Sequence, residues 1–386
     1  MDLNDTIFPY MKKHTYPLAF VTIIAMLFSC NVFAVGTADD AARLYRSGVA
    51  RFNADDNQGA IADFTKAIRL NPGYAAAYDK RGEAKVRIGQ GESGKEDAEK
   101  AIALDPGLLS AYSTRSCAKH VMGDYKGALE DAETVIRLAP NLADGYNNRA
   151  GAKTGMKDFQ GAIADYSRAI ELAPASGGNY FCRGVLKHDI QDYPGALADI
   201  TKAIACDPKK TSYYCILARL KFEMNDYPGA LSDFSKAISI DPKNGALFKE
   251  RGNHKFLVRD YHGAITDFNK AIELNPSDAE AYSLRGHAKF YIKDYRGVIV
   301  DCNKAIGFKP NAVMLYFNRG RSKFQIKDYR GTIADCTKAI SLDPKNPMFF
   351  VLRANAKASI LDSQGYLEDM QEAGKLGDTD AQKMLN

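Results

Sequence analysis

Residues 261–276 read YHGAITDFNKAIELNP, and residues 329–344 read YRGTIADCTKAISLDP. Each opens on Tyr-x-Gly, carries an Asp at its seventh place and closes on a proline. Between them, residues 295–310 read YRGVIVDCNKAIGFKP on the same frame. Following the closing proline outward collects Pro72, Pro106, Pro140, Pro174, Pro208, Pro242, Pro276, Pro310 and Pro344, with every interval 34 residues. Asp378 stands where a tenth would fall, with Leu376 at the usual apolar place before it. No compositional bias places nine prolines in strict register, and a period of this size signals stacked supersecondary units.

Other positions keep the beat. An aromatic recurs at Tyr78, Tyr112, Tyr146, Tyr180, Tyr214, Phe248, Tyr282, Tyr316 and Phe350, with Leu44 in the first unit. Four residues later comes a small residue in most units, such as Gly48, Gly82, Gly252, Gly286 or Gly320. A second small residue opens the next segment, as at Ala60, Ala128, Ala230 and Ala264, followed by an apolar cluster such as Phe64, Ala67 and Ile68. This pattern describes two antiparallel amphipathic helices per unit. The aromatic is expected to fill the space between them, and the small residues to let the axes approach closely. The proline sits just past the second helix, which it cannot continue. One such hairpin cannot bury its own apolar face, so neighbours must stack.

On these registers the chain resembles the tetratricopeptide repeat (TPR) family over residues 39–378, with units ending at 72, 106, 140, 174, 208, 242, 276, 310, 344 and 378. Residues 379–386 form a short C-terminal cap. The resemblance implies an all-α, right-handed superhelical solenoid of ten 34-residue helix-turn-helix repeats. It also implies a concave groove, lined by the first helices, that takes extended or helical peptides. The second unit departs most: its turn reads Gly89-Gln90-Gly91-Glu92-Ser93-Gly94, with Ala98 in place of the usual aromatic. Each helical glycine costs about 0.5–1 kcal/mol relative to alanine, which predicts a soft spot there.

The segment before the repeats has another character. From Met11, an alternative start, the chain reads MKKHTYPLAFVTIIAMLFSCNVFAVG. Lys12 and Lys13 precede an apolar stretch from Pro17 to Phe28, and small-residue cleavage chemistry follows at Ala34. Residues 1–34 are therefore expected to be a signal peptide and the protein to be exported, periplasmic or secreted. Leu27-Phe28-Ser29-Cys30 offers a second reading, lipidation at Cys30, which would anchor the protein to a membrane as a lipoprotein.

Composition narrows the function. A net charge of +5 is too mild and too evenly spread to be a nucleic-acid footprint. Seven cysteines with no CxxC suggest neither a zinc site nor a disulfide framework. Cys302 and Cys336 share the register of Phe234 and Phe268 and read as core thiols, while Cys206 and Cys215 are either a pair in an oxidising compartment or two packed free thiols. The histidines do not cluster: His120 and His188 lie two repeats apart, His254 reads as packed and His262 as part of a turn. His287 alone is expected to face the groove. With no Cys-His pair, phosphate loop or metal spacing, and no residues outside the repeats for a catalytic domain, the expectation is no enzyme, no cofactor, no metal and no small-molecule substrate.

Asp63, Asp97, Asp131, Asp165, Asp199, Asp233, Asp267, Asp301, Asp335 and Asp369 share one register. Facing it are Arg81, Arg115, Arg149, Arg183, Arg251, Arg285, Arg319 and Arg353, with a lysine or arginine one turn later, from Arg51 and Lys85 to Lys357. Acids and bases that recur together read as a ladder joining helices within and between repeats. As exposed pairs, each would contribute only about 0–1 kcal/mol.

A partner is expected in the groove registers of units six to nine. Eight residues after the aromatic stand Phe222, Phe256, Phe290 and Phe324, a ladder of phenyls. Beside it lie Arg219, Asn253, His287 and Arg321, with Lys249 and Phe317 one residue after the aromatic. Aromatic anchors next to Arg and Asn dominate interface energetics, although phenyls could also serve only to pack adjacent first helices. The N-terminal half is blander, with Val86, His120, Thr154 and His188 in the phenyl register. Asn147 and Asn148 suggest the family's dicarboxylate clamp, but the neighbouring units lack its lysines. The sequence therefore predicts a scaffold or adaptor for a protein or peptide partner, set in envelope complex assembly. The alternative is a homo-oligomer joined through the last repeat, where Met348, Phe349 and Phe350 have only Met384 and Leu385 to cover them.

Overall fold

The computed structural model describes residues 39–385, which form 21 helices and, among the described residues, no strand. The segment read as a signal peptide, with Cys30, lies outside the described residues. The chain divides into two compact units, Met1–Ile190 and Gln191–Asn386. The first contains α1 (39–53), α2 (Asn57–Leu70), α3 (Ala75–Arg87), α4 (Gly91–Leu104), α5 (Leu109–Val121), α6 (Tyr125–Leu138), α7 (Ala143–Gly155), α8 (Phe159–Leu172) and α9 (Gly177–Asp189). The second opens with α10 (Tyr193–Cys206), α11 (Thr211–Glu223), α12 (Tyr227–Ile240), α13 (Gly245–Leu257), α14 (Tyr261–Leu274) and α15 (Ala279–Tyr291). It continues with α16 (Tyr295–Phe308), α17 (Val313–Gln325), α18 (Tyr329–Leu342), α19 (Pro347–Ser359), α20 (Ser363–Lys375) and α21 (Thr379–Leu385). Odd-numbered helices up to α19 are the first helices of ten hairpins, and even-numbered helices are the second. The division falls in the turn of the fifth hairpin, between α9 and α10, rather than at a proline.

Three adjacent registers build each hairpin turn. Asp55, Gly89, Gly123, Lys157, Gln191, Asn225, Arg259, Lys293, Lys327 and Leu361 all take a positive φ, the left-handed step that ends a helix. In nine turns the next residue is an Asp whose side chain caps the second helix. Asp260 accepts the backbone N–H of Gly263 at 2.9 Å, and Asp328 that of Gly331 at 2.9 Å. A Cβ at Gly263 or Gly331 would overlap the capping carboxylate, which explains the Tyr-x-Gly openings. His262 therefore lies in the first turn of α14 rather than in a loop. The exception is α4, whose N-cap Gln90 makes no side-chain bond. In that hairpin glycine also has a packing role: a Cβ at Gly82 would stand 2.8 Å from the Gly94 carbonyl oxygen.

The space between the two helices of a hairpin is filled by the second helix, not by the recurrent aromatic. Phe64, Phe234 and Phe268 are fully buried, and a Cβ at Gly252 would come within 2.8 Å of the Phe268 ring. Cys302 and Cys336 take the same place, and burial pushes each thiol up to about 12. The recurrent aromatic instead seals the junction between repeats. Tyr282 packs on Ala271 and Ile272 of the preceding hairpin as well as on Ala305 of its own. The Tyr146 and Tyr316 hydroxyls donate to the carbonyls of Pro140 and Pro310 at 3.1 and 2.8 Å. A ring with a polar tip suits this place because it covers apolar surface on two hairpins and still reaches a helix-end carbonyl. Two of the periodic registers are thus one interaction.

The charge ladder is present, but its carboxylates are buried rather than exposed. Asp301 is 0% exposed, takes the Arg285 guanidinium side-on at 2.5 and 3.0 Å, and holds Lys289 at 3.0 Å. The same triad forms at Asp97, Asp131, Asp165, Asp267, Asp335 and Asp369. The spare nitrogen of the arginine reaches the preceding hairpin, as Arg285 does to Asn269 at 2.7 Å and Arg251 to Ser235 at 2.9 Å. Leu217 occupies the arginine position of the sixth repeat, where Asp233 keeps only Lys221 at 2.7 Å.

At the C-terminal end the expected uncovered surface is largely covered. Phe349 and Phe350 are 1% and 8% exposed. Phe349 packs on Tyr316 and Phe317, and Phe350 joins Met370, Ala373 and Ala381. The capping contact is made by Ala381, and the sulfur of exposed Met384 accepts from the Tyr366 hydroxyl at 3.4 Å. Met348 alone of the three is exposed.

Candidate functional site

The first helices of adjacent repeats meet along a seam with a fixed spacing of 31 residues. On α11 and α13, Arg219 bonds Glu250 at 2.6 Å. On α13 and α15, Lys249 holds Glu280 at 2.6 Å and Asp278 at 3.1 Å. On α15 and α17, Nδ2 of Asn318 lies 2.6 Å from Nε2 of His287 and donates to it. The register five after the aromatic therefore faces the next first helix and is only partly free for a ligand. Burial works to lower the Lys249 pKa, but its bonds to Glu280 and Asp278 outweigh that and hold it above its ordinary value. Burial, aided by the Arg321 charge, lowers the His287 pKa. A neutral imidazole is the form that can accept from Asn318.

The phenyls make a second series. Each packs tilted or edge-on against the tyrosine that opens its own second helix: Phe222 on Tyr227, Phe256 on Tyr261, Phe290 on Tyr295 and Phe324 on Tyr329, with centroids 4.8, 5.5, 5.3 and 5.4 Å apart. Part of each ring is thus used for packing, and all four remain half-buried. The rings also touch the next repeat: Phe222 meets His254 at 4.6 Å, and Phe256 meets Tyr291 at 5.4 Å. His254 is packed, between Phe222 and Phe234.

The structure brings four of the ten expected groove residues to one place. Phe256, His287, Phe290 and Arg321 line a cleft of about 430 Å³ together with Tyr291, Met314 and Asn318. Arg321 is exposed, and its guanidinium lies 4.6 Å from the Phe290 centroid. Across the seam, the place that Glu250 takes opposite Arg219 is held by Leu352 opposite Arg321. Arg321 forms no ion pair among the described residues. The other expected residues separate. Arg219 and Lys249 are committed to seam pairs, and Phe222 and Phe324 stand outside the cleft, as does half-buried Asn253. Phe317 is 4% exposed and packs on Phe349 at 5.1 Å, so it belongs to the core rather than the groove. Tyr291 and Met314, 59% and 52% exposed, escaped the sequence reading because Tyr291 lies one place past the phenyl register and Met314 two places before the recurrent aromatic. The signal for Asn318 was its spacing of 31 residues from His287.

The first unit is less bland than its phenyl register suggested. Lys80, Glu83, Arg87, Ser110, Cys117, Asp144 and Asn148 border a cleft of about 350 Å³. Beneath it Asp79 accepts from Ser110 and Thr114 at 2.6 and 2.7 Å. Burial raises the Asp79 pKa above the ordinary carboxylate value, against the pull of those two bonds. Cys206 and Cys215 are both free thiols, with Cys206 exposed rather than packed.

Hairpins repeated on a 34-residue beat, with first helices presenting seam and cleft, define an all-α helical-repeat protein. Sequence comparison supplies the family. A tetratricopeptide repeat profile matches residues 143–176, 211–244 and 315–346, and a related TPR repeat profile matches 260–290. The chain belongs to the tetratricopeptide repeat family. The C-terminal part of a TPR repeat-containing protein from Cytophaga hutchinsonii is similar in fold, with a TM-score of 0.54 and 17% identity over 62% of this chain and 98% of that one. A tetratricopeptide repeat protein from Parabacteroides merdae is 20% identical over 64% of this chain and 98% of that one, with a TM-score of 0.44. Yeast Tom70 is 16% identical over 89% of this chain and 93% of its own, with a TM-score of 0.38. No curated protein matches the sequence.

Proposed function

We propose that this protein is a non-catalytic scaffold that holds an extended or helical segment of a protein partner in the cleft between α13, α15 and α17. The observation that carries the reading is Arg321. It is a solvent-facing guanidinium stacked on Phe290, beside an apolar cleft, at a register where the equivalent Arg219 is neutralised by Glu250. An unpaired arginine on an aromatic ring is the residue combination that anchors interfaces. Such a cleft suits a segment that places an apolar side chain beside an acidic one. A non-catalytic role is supported by the direction of the shifts at Cys302 and Cys336, whose thiols are pushed up, whereas a nucleophilic cysteine needs a lowered pKa.

The test is to pan a random peptide library against the full chain and against a Phe290→Ala/Arg321→Glu variant with unchanged helical circular dichroism. Peptides retained by the wild type and lost from the variant would locate the site in the cleft. Equal retention by both would move the site elsewhere. The self-assembly alternative draws little from the last repeat, because Phe349 is buried against Tyr316 and Phe317, and Phe350 in the cluster that Ala381 completes. Export and a role in envelope assembly rest on the Lys12-to-Ala34 sequence pattern, and mass spectrometry of the natural N-terminus tests the export reading.

A further inference from the structure

The turns joining first to second helices in repeats seven, eight and nine carry a charge pattern that the other repeats lack. The left-handed residue is Arg259, Lys293 or Lys327, and the second residue of the following helix is His262, Arg296 or Arg330. In repeat six the same two places hold Asn225 and Pro228, and in repeat ten Leu361 and Gln364. All six side chains in repeats seven to nine are exposed. None of the five permanently charged ones forms an ion pair among the described residues, although the ladder arginines and lysines behind them are nearly all paired. The nearest acids in sequence, Asp260, Asp294 and Asp328, are engaged as helix caps.

The same edge bears exposed apolar side chains. Leu257 is 57% exposed, Tyr291 59%, Ile326 40%, Ile360 43% and Leu361 89%. The cations sit on the tips of three successive turns and do not converge on one pocket. A row of this kind offers no fixed geometry to a single carboxylate, but it matches a continuous anionic surface. Apolar and tyrosine side chains interspersed among the cations are what the headgroup region of a bilayer accommodates. We infer that the turn edge of repeats seven to nine, centred on Arg259, Lys293, Arg296, Lys327 and Arg330, docks on an anionic lipid surface.

The experiment is sedimentation of the full chain with vesicles of phosphatidylcholine alone or mixed with phosphatidylglycerol, read as the difference between the two. That difference removes any contribution the N-terminal segment makes to both vesicle types. Each surface cation contributes about a fivefold gain in partition onto an anionic membrane. Changing Lys293, Arg296, Lys327 and Arg330 to Gln should therefore lower the anionic-specific partition by at least a hundredfold. A Leu257→Ser/Leu361→Ser variant should keep the salt-sensitive binding and lose the part that persists in high salt. These positions are exposed, so circular dichroism and melting should match the wild type. The inference is overturned if the wild type partitions equally onto both vesicle types, or if the four-Gln variant partitions like the wild type. It is equally overturned if soluble polyglutamate binds the edge while anionic vesicles do not, since the edge would then serve an acidic protein segment.

Discussion

At the scale of the residue, the left-handed turn register and the buried imidazole give the sharpest tests. Leu361 holds φ of 65° with its side chain 89% exposed, a conformation that costs an L-residue about 1–2 kcal/mol. Glycine adopts it freely, and Gly89 and Gly123 already do so. After the extra entropy glycine loses on folding, Leu361→Gly should stabilise the last repeat by about 0.5–1 kcal/mol in denaturant unfolding. His287 has a pKa lowered chiefly by burial. Its contribution to stability is therefore present above the unfolded value of about 6.5 and is lost as pH falls below it. Protonation also removes the Nε2 acceptor that Asn318 uses and sets a second cation beside Arg321. NMR titration should show the His287 pKa below the ordinary imidazole value of about 6.5, and His287→Asn should flatten the acid limb of unfolding. These two features differ in how visible they were. The turn register was within reach of sequence reading, since only its periodicity had to be followed. The Asn318 partner required knowing that the first helices meet 31 residues apart.

At the scale of the element, capping and buried charge decide how well each hairpin is held. Nine second helices are capped by Asp, and α4 is not. Ser93 stands where the capped helices have the glycine that admits the carboxylate, so the paired change Gln90→Asp/Ser93→Gly should cap α4 and stabilise the second repeat by up to about 1 kcal/mol, read as slower hydrogen exchange in α4. The ladder makes the opposite kind of prediction. Asp301, fully buried, compensates Arg285 and Lys289. Asp301→Ala strands both cations and should cost about 3–5 kcal/mol. Asp233→Ala, which releases only Lys221, should cost clearly less in the same urea unfolding experiment. Equal losses at the two positions would mean that the arginine contributes little to the ladder. The pairing of acid and base was legible in the sequence from their shared beat. The burial was not, because it depends on how closely the two helices of a hairpin and the preceding hairpin approach.

At the scale of the whole molecule, stability in a repeat array is a sum of repeat and nearest-neighbour terms, so damage should stay local. Removing residues 379–386 uncovers the cluster of Phe350, Met370 and Ala373 that Ala381 completes. Hydrogen exchange should then accelerate in α19 and α20 while the first unit keeps its protection. Acceleration throughout would show cooperativity longer in range than neighbouring repeats. The same locality explains what could be read in advance. The 34-residue beat determined the helices, their turns, the pairing of Asp with Arg and Lys, and the family, because each is a local pattern repeated along the chain. Which repeated side chain is spent on packing and which is left for a ligand was decided only by tertiary contact. Phe317 shares a register with Lys249, yet it is buried against Phe349 while Lys249 pairs across the seam. Arg321 shares a register with Arg219, yet 31 residues on from Arg321 stands Leu352, where Arg219 has Glu250. The fate of each groove residue depends on the residue opposite it in the next repeat, and a period read one register at a time does not contain that partner.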